Sequence, residues 1–126
     1  MPAAQSALDR HPQPLHGRHP GVDRATAERL RRGRYPVEAS LDLHGMTQDE
    51  AHRALTRFVA MSRVAGRRCL LVVTGHGRSS GGILKAAVPR WLDEPALRPH
   101  LLLTAPARPQ HGGHGALYLL LRRSER

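Results

Sequence analysis

The sequence predicts an α/β domain whose elements run in the order β-α-β-α-β-β. Three observations lead there. Ala51, Ala54, Leu55, Phe58, Val59 and Met61 recur at helical spacing. Arg68 to Thr74 (Arg-Cys-Leu-Leu-Val-Val-Thr) is apolar without alternation, as a strand covered on both faces must be. Two further apolar runs, His100–Ala105 and Ala116–Arg122, flank a glycine-bearing loop and read as a hairpin.

Taken in order, the first twenty residues carry Pro2, Pro12, Pro14 and Pro20 among His11, His16 and His19, with no apolar period, and read as disordered. A short helix at about 23–32 follows, with Asp23 as cap and Gly33 as stop. Arg29, Arg31, Arg32 and Arg34 crowd its end, as a phosphate-contacting arm or as a solvated charge run. Residues 1–37 are thus a basic N-terminal extension and 38–126 the domain. In Ser40-Leu41-Asp42-Leu43-His44-Gly45, Leu41 and Leu43 point to one face and Asp42 and His44 to the other. Thr47 and Glu50 form a capping box that opens the first long helix, and Gly66 closes it. Gly75 to Gly82 reads as a loop. Ile83 to about Asp93 reads as a second helix made irregular by Pro89. The two helical connections imply parallel crossovers.

Composition narrows the function. Lys and Arg number 20 against 10 Asp and Glu, a formal charge of +10, and Lys85 is the single lysine. Arginine's planar fork suits phosphate, and such a field attracts polyanions, though a GC-rich genome also enriches Arg, Ala and Pro. One cysteine, Cys69, excludes an internal disulfide. No apolar run approaches the roughly 20 residues that span a bilayer, and the first residues lack a signal peptide's apolar core. A soluble, cytoplasmic monomer is expected, with no membrane partner. Four aromatic residues are too few for a base-stacking platform of the RRM type.

Three motifs then stand in line: Leu41-Asp42-Leu43-His44-Gly45, Thr74-Gly75-His76-Gly77, and Gly112-Gly113-His114-Gly115-Ala116-Leu117-Tyr118-Leu119-Leu120-Leu121-Arg122-Arg123. In that order and spacing they resemble the small MutS-related (Smr) domain over about Glu38 to Arg123. The preceding Gly21-Val22-Asp23-Arg24 and Glu28-Arg29-Leu30-Arg31-Arg32-Gly33-Arg34-Tyr35-Pro36 resemble the extension of stand-alone bacterial members. The resemblance implies a compact two-layer α/β sandwich similar to the C-terminal domain of translation initiation factor three. It implies nucleic-acid binding and, in several members, nicking or cleavage of DNA or RNA. Some stand-alone members cut messenger RNA at collided ribosomes, so the ribosome is an implied partner. Family functional residues carry over to Asp42, His44, Gly75 and Gly77.

The chemistry of the residues agrees. Phosphodiester cleavage needs a base, an acid and donors for the charge that builds on phosphorus. His44 suits the proton transfers, Asp42 can orient it or hold a hydrated metal, and His76 is placed to assist. Gly75, Gly77, Gly81 and Gly82 let backbone amides face a phosphate. Arg78, Lys85 and Arg122 are expected to hold the backbone, and His111, Gly113 and His114 to contact phosphate or base. A zinc site of His76, His111 and His114 matches no strong pattern, so no metal-ligand set is assigned. If DNA is the substrate, Mg2+ or Mn2+ at Asp42 is the expected cofactor; RNA, with its own 2′-hydroxyl, needs none. The rival reading is a non-catalytic module for branched nucleic acid or ribosomes.

Overall fold

The computed structural model describes residues 23–76 and 80–123. Four strands form one sheet in the order β1-β2-β4-β3. They are β1 (Ala39–Asp42), β2 (Cys69–Val73), β3 (Leu101–Pro106) and β4 (Ala116–Leu121), joined with helices α1 (Arg24–Arg31), α2 (Gln48–Val64) and α3 (Ser80–Leu92). Strand β1 pairs parallel to β2 with Asp42 opposite Val73. Strand β4 runs antiparallel to both β2 and β3, with Ala116 opposite Val73. The α3 crossover therefore returns a strand parallel to β2 but one place removed, because β4 fills the gap.

The central strands explain their unbroken apolar sequence. Leu70 and Val72 of β2, with Leu119 and Leu121 of β4, pack under α2 and α3. Their neighbours Cys69, Leu71, Tyr118 and Leu120 belong to a second cluster on the other face. Edge strand β1 alternates instead: Ala39 and Leu41 lean on the first cluster while Ser40 and Asp42 are exposed. The fold class is the expected α/β one.

Helix α2 opens as expected. The Thr47 hydroxyl accepts from the Glu50 amide at 3.1 Å, and Glu50 Oε1 accepts from the Thr47 amide at 2.9 Å. Its buried stripe is Ala51, Leu55, Val59 and Ser62. Met61, expected inward, is 59% exposed. A heptad step from Leu55 reaches Ser62, so a residue one place earlier is turned about 100° off the buried stripe. Helix α3 starts at Ser80 rather than Ile83, so Gly81 and Gly82 sit in its first turn and not in a loop. The helix runs through Pro89 to Leu92, forgoing one i→i−4 bond.

Helix α1 finds its packing partner on the second face. Asp23 caps it by accepting from the Thr26 amide at 2.7 Å. Leu30 is fully buried beside Leu103, Ala105 and Tyr118. Burial of one such leucine contributes about 2 kcal/mol, enough to hold two turns that would not persist alone. Residues 1–22, 77–79 and 124–126, with the expected site residues Gly77 and Arg78, lie outside the described residues.

Candidate active site

The parallel β1–β2 pair ends with Asp42 beside Val73, and the next backbone bond, Leu43 N–H to Val73 O at 2.7 Å, carries the chain one step past the strand. Leu43 is fully buried and anchors this step. Gly45, at φ +82°, then turns the chain toward α2. The turn leaves Asp42 and His44 exposed and in contact. His44 Nδ1 lies 2.8 Å from Asp42 Oδ1, and the His44 amide donates to the same oxygen at 3.0 Å. These two bonds hold the Asp42 carboxyl below its ordinary value, the side-chain bond first. With the Nδ1 proton given to Asp42, His44 Nε2 keeps a lone pair, and the ring is 71% exposed.

The second turn lies directly against the first. A Cβ built on Gly75, at φ +89°, would stand 3.5 Å from His44 Cβ. The third turn closes on the second through the backbone. The amides of Thr74 and Gly75 both donate to the Gly115 carbonyl, at 2.8 and 3.1 Å. The buried Thr74 hydroxyl is 3.2 Å from both the Gly115 and Gly75 oxygens. Gly115 has little room for a side chain: a Cβ there would lie 3.0 Å from the Gly75 carbonyl carbon and 3.2 Å from His76 Nε2. Sheet order creates this meeting, since β1, β2 and β4 are neighbours and all three turns leave the same end.

His76 and His114 line one groove of about 490 Å³ with Gly112 and Gly113. His114 is shared with a narrower cleft of about 190 Å³ that includes Lys85 and Pro89. Imidazoles, a lysine and glycine backbone thus border one continuous surface, a composition suited to a polyanion. Gly81 and Gly82 occupy the first turn of α3, where amides are free of helical partners.

Two expected contact residues stand elsewhere. His111 Nδ1 is 2.6 Å from the Tyr118 hydroxyl, which also accepts the Arg108 amide at 3.2 Å. That contact ties the His111 ring to Tyr118 on the second face of the sheet, so the ring braces the loop there. Arg122 follows Leu121, the end of β4 opposite to Ala116, and so lies at the far end of the sheet from the three turns. Among the described residues no three His, Cys, Asp or Glu side chains gather as a metal cage. Asp42 Oδ2 is the carboxylate oxygen that could hold a hydrated divalent ion, which would supply an activated water.

Sequence reasoning missed several residues. Thr74 is the polar end of an apolar strand, a signal that was present. Met46, Glu50, Arg53, Ala54 and Arg57 line a groove of about 510 Å³ next to the first turn; the i,i+4 spacing of Arg53 and Arg57 marks it. Pro106 and Pro109 wall the His76 groove, and no local pattern announces that.

Comparison with known proteins agrees with this fold. The Smr domain family model matches residues 41–122. Ribosome rescue factor SmrB of Escherichia coli O157:H7 is 41% identical over 102 residues, 81% of this chain and 52% of that protein. Probable DNA endonuclease SmrA of Escherichia coli K12 is 34% identical over 115 residues, 89% of this chain and 60% of that protein. The chain thus spans little more than half the length of these relatives. The crystal structure of YdaL, a stand-alone small MutS-related protein from Escherichia coli, superposes with TM-score 0.74 at 34% identity over 88% of this chain and 85% of that one. The Smr domain of Thermus thermophilus MutS2 gives 0.58 at 28% identity over 67% and 98%.

Proposed function

The chain belongs to the Smr domain family, and from that premise we propose that it is an endonuclease acting on structured nucleic acid, RNA before DNA, with messenger RNA on stalled ribosomes as the leading substrate. The observation that carries this is the 2.8 Å Asp42–His44 contact, with the exposed His44 beside the Gly75 turn. On RNA, His44 Nε2 takes the proton of a 2′-hydroxyl, the 2′-oxygen bonds to the adjacent phosphorus, and the bond from phosphorus to the 5′-oxygen breaks. The departing 5′-oxygen takes a proton from an imidazolium, that of His44 or of His76. Asp42 fixes the tautomer and stabilises the His44 cation as it forms. Amides of the Gly75–Gly77 turn and of the start of α3 stabilise the phosphorane charge, and Arg78, Lys85, Gly113 and His114 grip the strand. On DNA, water is the nucleophile, and Asp42 is the residue that would hold a divalent ion to activate it.

Two relatives' names support this reading from different sides: one is a ribosome rescue factor and the other a probable DNA endonuclease. The second reading, a binding module without turnover, is favoured by the openness of the pair, with Asp42 55% and His44 71% exposed.

The test is cleavage of labelled single-stranded RNA and branched DNA by wild type and His44→Ala, with EDTA or magnesium. The expected result is RNA cleavage that survives EDTA, leaves 2′,3′-cyclic phosphate ends, and falls about 10²- to 10⁴-fold in His44→Ala with affinity retained. Equal loss of affinity and cleavage would favour the binding module.

A further inference from the structure

The far end of the sheet holds a second basic concavity. Arg29, Tyr35, Pro36, Glu38, Arg68, Cys69 and Arg123 enclose about 280 Å³ there. It begins at Cys69, four residues along β2 from Val73, which pairs with Asp42; at 3.3 Å per residue that is roughly 13 Å from the three turns. It is therefore separate from the Asp42–His44 site.

Three guanidiniums face this space with one carboxylate, and the carboxylate is already engaged. Glu38 Oε1 accepts from the backbone amides of Arg68 and, at 3.2 Å, of Cys69. Among the described residues no ion pair forms to Arg29, Arg68 or Arg123. The Arg29 guanidinium lies over the Tyr35 ring, 4.5 Å from its centroid. The Arg68 Nε is buried and has no partner among the described residues. A buried, unpaired donor carries the full cost of desolvation, and this one sits between two like charges. Burial first, then Arg123, pushes the Arg68 guanidinium below its ordinary value. An anion with several acceptor oxygens would satisfy the orphan donor and relieve the repulsion together.

We propose that this pocket is an oxyanion site that receives a phosphate of a bound nucleic-acid strand, anchoring the strand away from the reacting turns. Arginine forks match the tetrahedral oxygens, and the volume admits a phosphate with part of its sugar. The site does not depend on the chain being a nuclease.

Arginine side-chain NMR on the full chain tests it. Inorganic phosphate, against chloride at matched ionic strength, should shift the Arg68 Nε–H signal saturably. An uncut single-stranded oligonucleotide should shift the same signal and compete with phosphate. Arg68→Met should abolish the shift, weaken oligonucleotide binding severalfold, and lower the salt slope of binding by about one. The same variant should melt no lower than wild type without phosphate, because among the described residues the removed side chain makes no hydrogen bond or ion pair and its Nε is buried without a partner; that separates loss of a ligand contact from loss of the fold. His44→Ala should leave the phosphate response of Arg68 unchanged. A signal that moves no more in phosphate than in chloride overturns the proposal. So does one that responds to phosphate but not to the oligonucleotide, or to an acidic peptide alone.

Discussion

Three residues of the site carry predictions of their own. Gly115→Ala drives a methyl against the Gly75 carbonyl carbon and His76, so it should cost about 1–3 kcal/mol by denaturant melts and depress cleavage. Gly113→Asn meets open space at φ +55°, a conformation asparagine tolerates, and should cost well under half as much. Asp42 is held below its ordinary 3.8 by His44. A carboxyl depressed in the folded state contributes stability above its unfolded pKa and loses it as pH falls through the lower folded value. NMR titration should therefore find Asp42 ionised below pH 3.8, with His44→Ala raising its value toward normal. Cys69 behaves oppositely: burial lifts its thiol to about 11. Iodoacetamide at pH 8 should label it only after unfolding; rapid labelling of the native chain would contradict its placement. At this scale the sequence was informative where chemistry is local, as in the Asp42–His44 pair two residues apart. It gave His111 only a phosphate or base contact and no sign of its bond to Tyr118, because that hydroxyl comes from across the hairpin.

Among the elements, α1 belongs to the fold's second core as much as to any arm. Leu30→Ala should cost about 2–4 kcal/mol in chemical denaturation. Removal of the chain through Gly33 strips the cover from Leu103 and Tyr118 and should lower stability and promote aggregation. The start of α2 was legible because Thr47 and Glu50 signal within one turn. The start of α3 was not: Gly81 and Gly82 are poor helix formers, and their local preference is overridden by the packing of Leu84, Ala87 and Val88 behind them. The placement of β4 between β2 and β3 was likewise unreadable, since antiparallel pairing over more than forty residues leaves no periodic mark.

For the whole molecule, a charge of +10 predicts that nucleic-acid affinity falls steeply with salt, log–log, with a slope set by the phosphates neutralised. Filter binding from about 50 to 200 mM salt should show a loss of at least tenfold, and a flat profile would remove the polyanion reading of the composition. Among the described residues no helix is long and apolar enough to cross a membrane, in keeping with a charged, open surface. The sheet supplies one last consequence. The amides of Thr74 and Gly75 lie beyond the end of β2, yet both are tied to the Gly115 carbonyl beneath a buried hydroxyl. They should exchange with deuterium as slowly as the strand amides, opening only when the domain unfolds globally. The floor of the cleft is then as long-lived as the core, and a substrate meets a surface already set rather than one that must be ordered on arrival.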